Sequence, residues 1–383
     1  MELQIRPSPC PQEEGAHRYR LLLTAHEPVR ITGVTGRILD PGGRELWRQE
    51  WDPRELFGAQ DLAPGEIRVA PRLTLGRFTG GTAEWAVRGV TAWGEPREAV
   101  ARLALTLPPG TRRVIFRRQP DREAVVAWPG GTGEEDGPDG RQGPAGGPAG
   151  PGPAGPRGAP ALILIHGSES HAASLAWLAA WAARRGYVAA ALSQPGFGGS
   201  EGKPDFAGPG TVAALQEGYA WVRSLPGVDP DRLGLWGVSR GAVAAANLAT
   251  AGPLPGLRAL VLQAGAYDLL APELARLRQR LLPEVAAERE GGLEAALRRR
   301  SALYRAERIP CPVLLLHGDR DEVIPESQSR RLAERLQALG KPCTYRCYPG
   351  RGHFLPARRV WEEAIFPFLD ELLRPGAGSG PRP

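Results

Sequence analysis

The chain has 383 residues, 42% hydrophobic and 23% charged, which is more than one hydrophobic core usually takes and enough apolar material for two. That composition excludes a disordered chain. The formal charge of +6 does not concentrate, because 46 of the 48 basic residues are arginine scattered among 42 acidic ones, so no nucleic-acid partner is expected. No stretch approaches the ~20 apolar residues of a membrane span. The start, "MELQIRP", has an early acid and no apolar core of a signal peptide, so a cytoplasmic protein without a membrane partner is expected.

The four cysteines, Cys10, Cys311, Cys343 and Cys347, form no C-x-x-C pair and have no metal-ligand spacing with a histidine, so neither a metal nor a disulfide is expected and the thiols are read as buried and free. The densest basic run, Arg298-Arg299-Arg300, is read as a solvated helix face beside Glu294 and Glu307.

Residues 1–112 carry short apolar alternations broken by turn residues: "RYRLLLTA", "VRITGVTGRIL", "AEWAVRGVTAW" and "EAVARLALTL". Short strands without a long helical period predict a small β-sandwich of immunoglobulin-like kind. A second domain is predicted over 113–375, opening with strands near "RVIFRR" and "EAVVAW". It is interrupted at 129–160 by a Gly/Pro-rich insert whose triplet period breaks too often for collagen and is read as a flexible, disordered surface loop. Residues 376–383 are read as a flexible tail.

From 161 onward apolar runs alternate with longer helical segments. The strands are "ALILIHG", "YVAAALS", "RLGLWGVS", "ALVLQAG", "VLLLHGD" and "CTYRCYPG". Such runs separated by helices predict a mostly parallel, doubly wound α/β sheet with helices on both faces, whose chemistry sits at the carboxyl ends of the strands.

Ser239 lies in "GVSRG", between the strand "RLGLW" and the alanine-rich segment "GAVAAANLA". With 50 glycines in the chain, about 0.2 G-x-S-x-G matches arise by chance, so the pattern alone is weak. Its context adds the argument. A sharp strand-to-helix turn crowds the backbone, so the residues two before and two after must be tiny, and Gly237 and Gly241 stand there. The turn raises the hydroxyl above the sheet and sets the Arg240 N–H at a helix N-terminus, where it favours an oxyanion.

A serine hydroxyl needs a base. Of six histidines, His17 and His26 fall in the β-rich domain, and His166 and His317 sit at the ends of apolar strands, where a satisfied structural histidine is the commoner role. His171 follows the first of these strands. His353, in the loop "YPGRGHFLP" after the last strand, is the best candidate base. The loop "HGDRDEVIP" offers Asp319, Asp321 and Glu322 as the group that orients the imidazole.

These elements resemble the α/β-hydrolase superfamily: G-x-S-x-G at 237–241, "HGDRDEVIP" at 317–325 and "GRGHF" at 350–354 follow the family's order of Ser, Asp and His. The resemblance implies that Asp321 is the acid and Asp319 a turn or capping residue. "LIHGS" at 164–168 is similar to the family's oxyanion loop. It implies Ser168 as the second oxyanion donor beside Arg240, with Glu169 as the nearby alternative and His166 as a brace. "SQPGFGGSEG" at 193–202 resembles the family's loop after the next strand. Within the superfamily the chain is most similar to the prolyl-oligopeptidase-like and dienelactone-hydrolase-like branches. Its sandwich ahead of the hydrolase resembles the acyl-CoA thioesterase and bile-acid acyltransferase family. Two departures matter: the residues ahead of the catalytic region are too few for the blades of a propeller, so none is expected among them, and the nucleophile is Ser where dienelactone hydrolases and the acyltransferases use Cys.

The expected activity is hydrolysis of a small carboxylic ester or thioester through Ser239, His353 and Asp321, with no cofactor and no metal. A helical segment, 268–309, is a candidate cap over the pocket or an ordinary surface helix. Two rival readings stand beside this one: a serine peptidase for short peptides, which needs acids near the pocket such as Glu169 or Glu201, and a non-catalytic binding protein on a hydrolase scaffold.

Overall fold

The computed structural model describes residues 1–374 except 7–9, 12–15, 40–44, 71–72, 77–80, 109, 118, 131–157, 169 and 286–290. The expected loop at 129–160 falls almost wholly, and the tail at 376–383 wholly, outside the described residues.

The chain divides into two compact units, one of Met1–Pro108 and one holding nearly all the rest. The first unit contains two sheets. Glu2–Arg6, Ala16–Thr24, Ile67–Val69 and Leu73–Gly76 make one, and Pro96–Thr106, Gly81–Thr91, Val29–Leu39 and Glu45–Trp51 form the body of the other. The pairings within these sets are antiparallel. Alternation explains the core: Val29, Ile31, Val34 and Ile38 of one strand, with Trp85, Val87 and Leu103 of the same sheet, are buried in one cluster with Leu21 and Leu23 of the other sheet. Glu45–Trp51 escapes the sequence reading because its residues are mostly exposed and show no apolar alternation.

The second unit is built on eight strands: β1 (Thr111–Arg117), β2 (Arg122–Ala127), β3 (Ala159–Ile165), β4 (Val188–Leu192), β5 (Val228–Val238), β6 (Leu257–Gln263), β7 (Val313–Gly318) and β8 (Cys343–Tyr348). Their order is β1-β2-β4-β3-β5-β6-β7-β8. The β1–β2 and β2–β4 pairings are antiparallel and the others parallel. Strands β3, β4 and β7 are buried at every residue, as a sheet covered on both faces requires, whereas edge strand β8 is exposed along much of its length. This is the α/β-hydrolase fold.

Helices connect the strands: α1 (Ala176–Arg184), α2 (Pro209–Arg223), α3 (Arg240–Ala251), α4 (Ala275–Val285), α5 (Gly292–Arg299), α6 (Ser327–Ala338) and α7 (Phe366–Leu373). Helix α3 is buried over 11 of its 12 residues and is largely alanine, which lets its backbone lie close to the sheet.

Register sets the site. Ile165 pairs with both Leu192 and Gly237, Val238 with Gln263, Gln263 with Leu316, and Gly318 with Tyr348. The residues that follow, His166, Ser193, Ser239, Asp319 and Pro349, therefore leave the sheet at one carboxyl edge.

Two expectations are corrected here. Arg300 is not on a solvated face: it is 1% exposed, with Nε on the Asp205 carbonyl at 3.0 Å and Nη1 on the Ala296 carbonyl at 2.9 Å. Backbone carbonyls ahead of α2 and within α5 hold its guanidinium. Of the thiols, Cys311 is buried, but Cys343 is half-buried and Cys347 exposed, because β8 is an edge; all three are free.

Candidate active site

The turn at Ser239 is strained. Its φ of 54° and ψ of −122° lie where non-glycine residues are rare, at a cost of about 1–3 kcal/mol. Packing enforces it: a Cβ on Gly237 would lie 2.2 Å from the Gly241 carbonyl oxygen, and one on Gly241 would lie 2.1 Å from that of Ile165. The Ser239 N–H is tied to the Gln263 carbonyl at 2.8 Å, and its carbonyl receives the Ala242 and Val243 N–H groups that begin α3.

Three sequence-predicted side chains meet at this turn. His353 Nε2 lies 2.9 Å from Ser239 Oγ and His353 Nδ1 lies 2.7 Å from Asp321 Oδ2. With Nδ1–H donating to the carboxylate, Nε2 is left to accept from the serine hydroxyl. The imidazole is largely screened from water, its side chain 10% exposed.

Asp321 is saturated with donors. Oδ1 accepts the Val323 and Ile324 N–H groups at 2.8 and 2.9 Å, while Oδ2 accepts from His353 and, at 3.1 Å, from His317 Nε2. Burial pushes the carboxyl up, but hydrogen bonds from His317, His353 and the Ile324 N–H prevail and hold it well below the usual carboxylate range. Asp319 does something else: its Oδ1 accepts the Gly350 N–H at 2.7 Å, pinning the loop that carries His353.

His317 touches the same carboxylate, which sequence reasoning missed. Its Nε2–H also reaches the Ile324 carbonyl at 2.9 Å, and Nδ1 accepts from Ser329 Oγ at 2.7 Å. His317, Asp321 and Ile324 are thereby locked into one loop. The signal was present as two histidines flanking one acidic loop, but only the fold tells which face each takes.

Gly167 lies over the turn, close enough that a Cβ there would sit 3.5 Å from Ser239 Cβ, and Ser168 beside it is exposed. Glu169 lies outside the described residues. His166 is fully buried beneath this loop. Its Nε2 accepts the Gln194 N–H at 3.0 Å, so Nδ1 carries the proton and donates to the Gly167 carbonyl at 2.7 Å. Burial lowers its pKa to about 3, so the ring stays neutral.

Arg240 contributes more than a backbone N–H. Its side chain is 3% exposed and grips Glu284 of α4 through Nη1–Oε1 at 2.9 Å and Nη2–Oε2 at 2.6 Å. The guanidinium carbon stands 4.8 and 5.2 Å from the ring centres of Phe197 and Phe206, and Glu284 Oε2 also accepts the Phe206 N–H at 2.9 Å. Segment 268–309 is thus fastened to the serine turn by a charge pair. Arg278 donates to the Leu269 and Ala271 carbonyls, while Arg276 and Arg280 are exposed.

A second latch holds the 193–200 loop. Glu123, 1% exposed, accepts from Ser193 Oγ at 2.6 Å, the Gly199 N–H at 2.8 Å and Arg113 Nε. Gly198, with a φ of 55°, has no room for a Cβ, which would lie 2.2 Å from Glu123 Oε2. Glu201, which the peptidase reading needs near the pocket, instead accepts the Asp121 N–H at 3.0 Å.

The sequence profile of the prolyl oligopeptidase family matches residues 173–376, over half the chain and spanning Ser239, Asp321 and His353. The chain belongs to the prolyl oligopeptidase family. It is a serine hydrolase. Among curated relatives it is 28% identical over 178 residues to the uncharacterized peptidase YtmA of Bacillus subtilis (strain 168), spanning 46% of this chain and 68% of the relative. Esterase 2 of Thermogutta terrifontis, phosphonylated by sarin, superposes with a TM-score of 0.52 at 20% identity, covering 69% of this chain and 95% of that one. A puromycin-hydrolyzing peptidase of Mycobacterium tuberculosis has a TM-score of 0.53 at 21% identity, covering 98% of this chain and 54% of the other. At these identities the two structures share the fold with this prolyl oligopeptidase-family chain and carry nothing about its substrate.

The described residues contain no group of three or more His, Cys, Asp or Glu placed to hold a metal ion. None of their helices is long and apolar enough to cross a membrane.

Proposed function

We propose that the protein hydrolyses small carboxylic esters or thioesters by acyl transfer through Ser239. His353 takes the hydroxyl proton as Ser239 Oγ attacks the acyl carbon, and the Arg240 and Ser168 N–H groups receive the oxyanion. His353 then gives that proton to the leaving oxygen or sulfur. Water, deprotonated by His353, next cleaves the acyl-enzyme and restores the serine. Asp321 keeps Nδ1 protonated and offsets the charge of the imidazolium.

The observation that carries this reading is the continuous hydrogen-bond chain of 2.9 and 2.7 Å from Ser239 through His353 to Asp321. It ends on a carboxylate that four donors keep ionised and starts at a backbone strained into position. A retired scaffold has no use for that strain, which speaks against a purely binding role. The proposed setting is the cytoplasm, in keeping with the free thiols.

The peptidase reading is favoured by the family's name and by the name of the Bacillus relative. Against it stands the hydrogen bond that the Glu201 carboxylate already accepts from the Asp121 N–H.

A fluorophosphonate probe with peptide mapping tests the reaction. Label on Ser239, absent in Ser239→Ala, is expected, with a fall in esterase activity of at least about 10⁴-fold in that variant. Label elsewhere on folded protein would sink the assignment. Competition by esters, acyl thioesters and short peptides ranks the substrates.

A further inference from the structure

In the reaction proposed above, the bond to the leaving group breaks while that group's oxygen is within reach of His353 Nε2, because the imidazolium must protonate it there. A side chain that borders the imidazole therefore bounds part of the space open to the leaving group. Phe354 is the next residue. Its ring stands edge-on to the imidazole, with centroids 5.3 Å apart and planes at 75°, yet it is 70% exposed. Leu355, one position on, is buried. A phenyl ring left in water next to the base is not there to pack the core.

Val323 repeats the pattern from the other side of the carboxylate. Its N–H is bound to Asp321 Oδ1 while His353 is bound to Oδ2, and its side chain is 50% exposed. Two loops anchored on one carboxylate thus each carry an exposed apolar side chain. Among the described residues of the second unit, these are the two most exposed large apolar side chains; the others, Leu282, Leu293 and Tyr304, lie on segment 268–309.

We propose that Phe354, with Val323, forms a leaving-group subsite, and that the favoured substrates are esters of aromatic alcohols; this rests on Ser239 being the nucleophile. Ser239 Oγ bonds to the acyl carbon, the carbon–oxygen bond to the aryl group breaks with its electron pair going to that oxygen, and the proton from His353 completes the phenol. Water then releases the acid. The aryl ring meets the Phe354 ring in offset or edge contact, and Val323 packs against its rim.

The test holds the acyl group constant and compares an aryl leaving group with a fluoroalkyl one of similar acidity, so that intrinsic reactivity cancels. In Phe354→Ala the aryl-to-fluoroalkyl ratio of kcat/KM is expected to fall about three- to tenfold, carried by KM, while Phe354→Tyr retains it. A ratio that stays within twofold of the wild type in Phe354→Ala, or one that changes with acyl length instead, overturns the subsite. Fluorophosphonate labelling of wild-type Ser239 keeps the two ideas apart: its leaving group is fluoride, so it reports the nucleophile without using Phe354. Absence of label refutes the catalytic reading; label together with an unmoved ratio refutes only this one.

Discussion

At the scale of single residues, the site is governed by burial and by counting donors. Asp321 has two oxygens and four donors, which hold its carboxyl well below the usual carboxylate range, and replacing it with Asn sets an amide N–H against two of those donors and frees the imidazole to choose the wrong tautomer. Asp321→Asn is expected to lower kcat by about 10⁴-fold with Ser239 still in place, as steady-state kinetics would read. His166 gives a pH dependence of stability. Its folded pKa, lowered by burial to about 3, lies below the ordinary histidine value of about 6.5, so the unfolded chain binds the extra proton first. Stability from this residue is full above about pH 6.5 and falls by up to about 1.4 kcal/mol per unit as pH drops toward 3. Urea titrations from pH 7 to 5 check it; a flat profile would contradict the buried neutral ring. Asp321, held low, adds its own loss only further down, in and below the ordinary carboxylate range.

At the scale of elements, the strand-turn-helix at Ser239 and the helix α4 are each held by a specific contact. Gly241→Ala brings a Cβ within 2.1 Å of a backbone oxygen, where neither partner can yield cheaply, so loss of the folded second unit or of Ser239 labelling is expected. Glu284→Ala leaves the guanidinium of Arg240 buried between two aromatic rings without its charge partner. A loss of about 2–3 kcal/mol is expected, below the range for fully buried pairs because the Glu284 side chain is 26% exposed, and calorimetry measures it. All eight strands of the hydrolase sheet were legible in the sequence, most of them because apolar runs of β-branched residues, leucine and alanine have few alternatives. The Arg240–Glu284 clasp and the grip of Glu123 on Ser193 and Gly199 were not, because each joins residues 44 or more positions apart that carry no local pattern.

At the scale of the whole molecule, the buried cluster between the sheets of the first unit shares no residue with the cluster packed on one face of the hydrolase sheet. Leu103→Ala, at a fully buried position of the first, is expected to cost about 2–5 kcal/mol in that unit's unfolding while leaving the rate of Ser239 labelling within about twofold. Labelling that collapses with this substitution would mean that the first unit supports the site.

The sequence by itself determined the hydrolase sheet, the strained turn at Ser239, and the presence of one histidine and three acids in the two loops that could serve it. These follow from local facts: hydrophobic period, glycine at tight turns, and chain order. Tertiary structure decided which acid faces the base. Asp319 and Asp321 differ by two positions, yet one turns to Gly350 and the other to His353. Tertiary structure also recruited His317 to the carboxylate and Glu284 to Arg240. Those outcomes depend on strand register and on which donors a buried charge can find across the fold, and neither is written in any short stretch of chain.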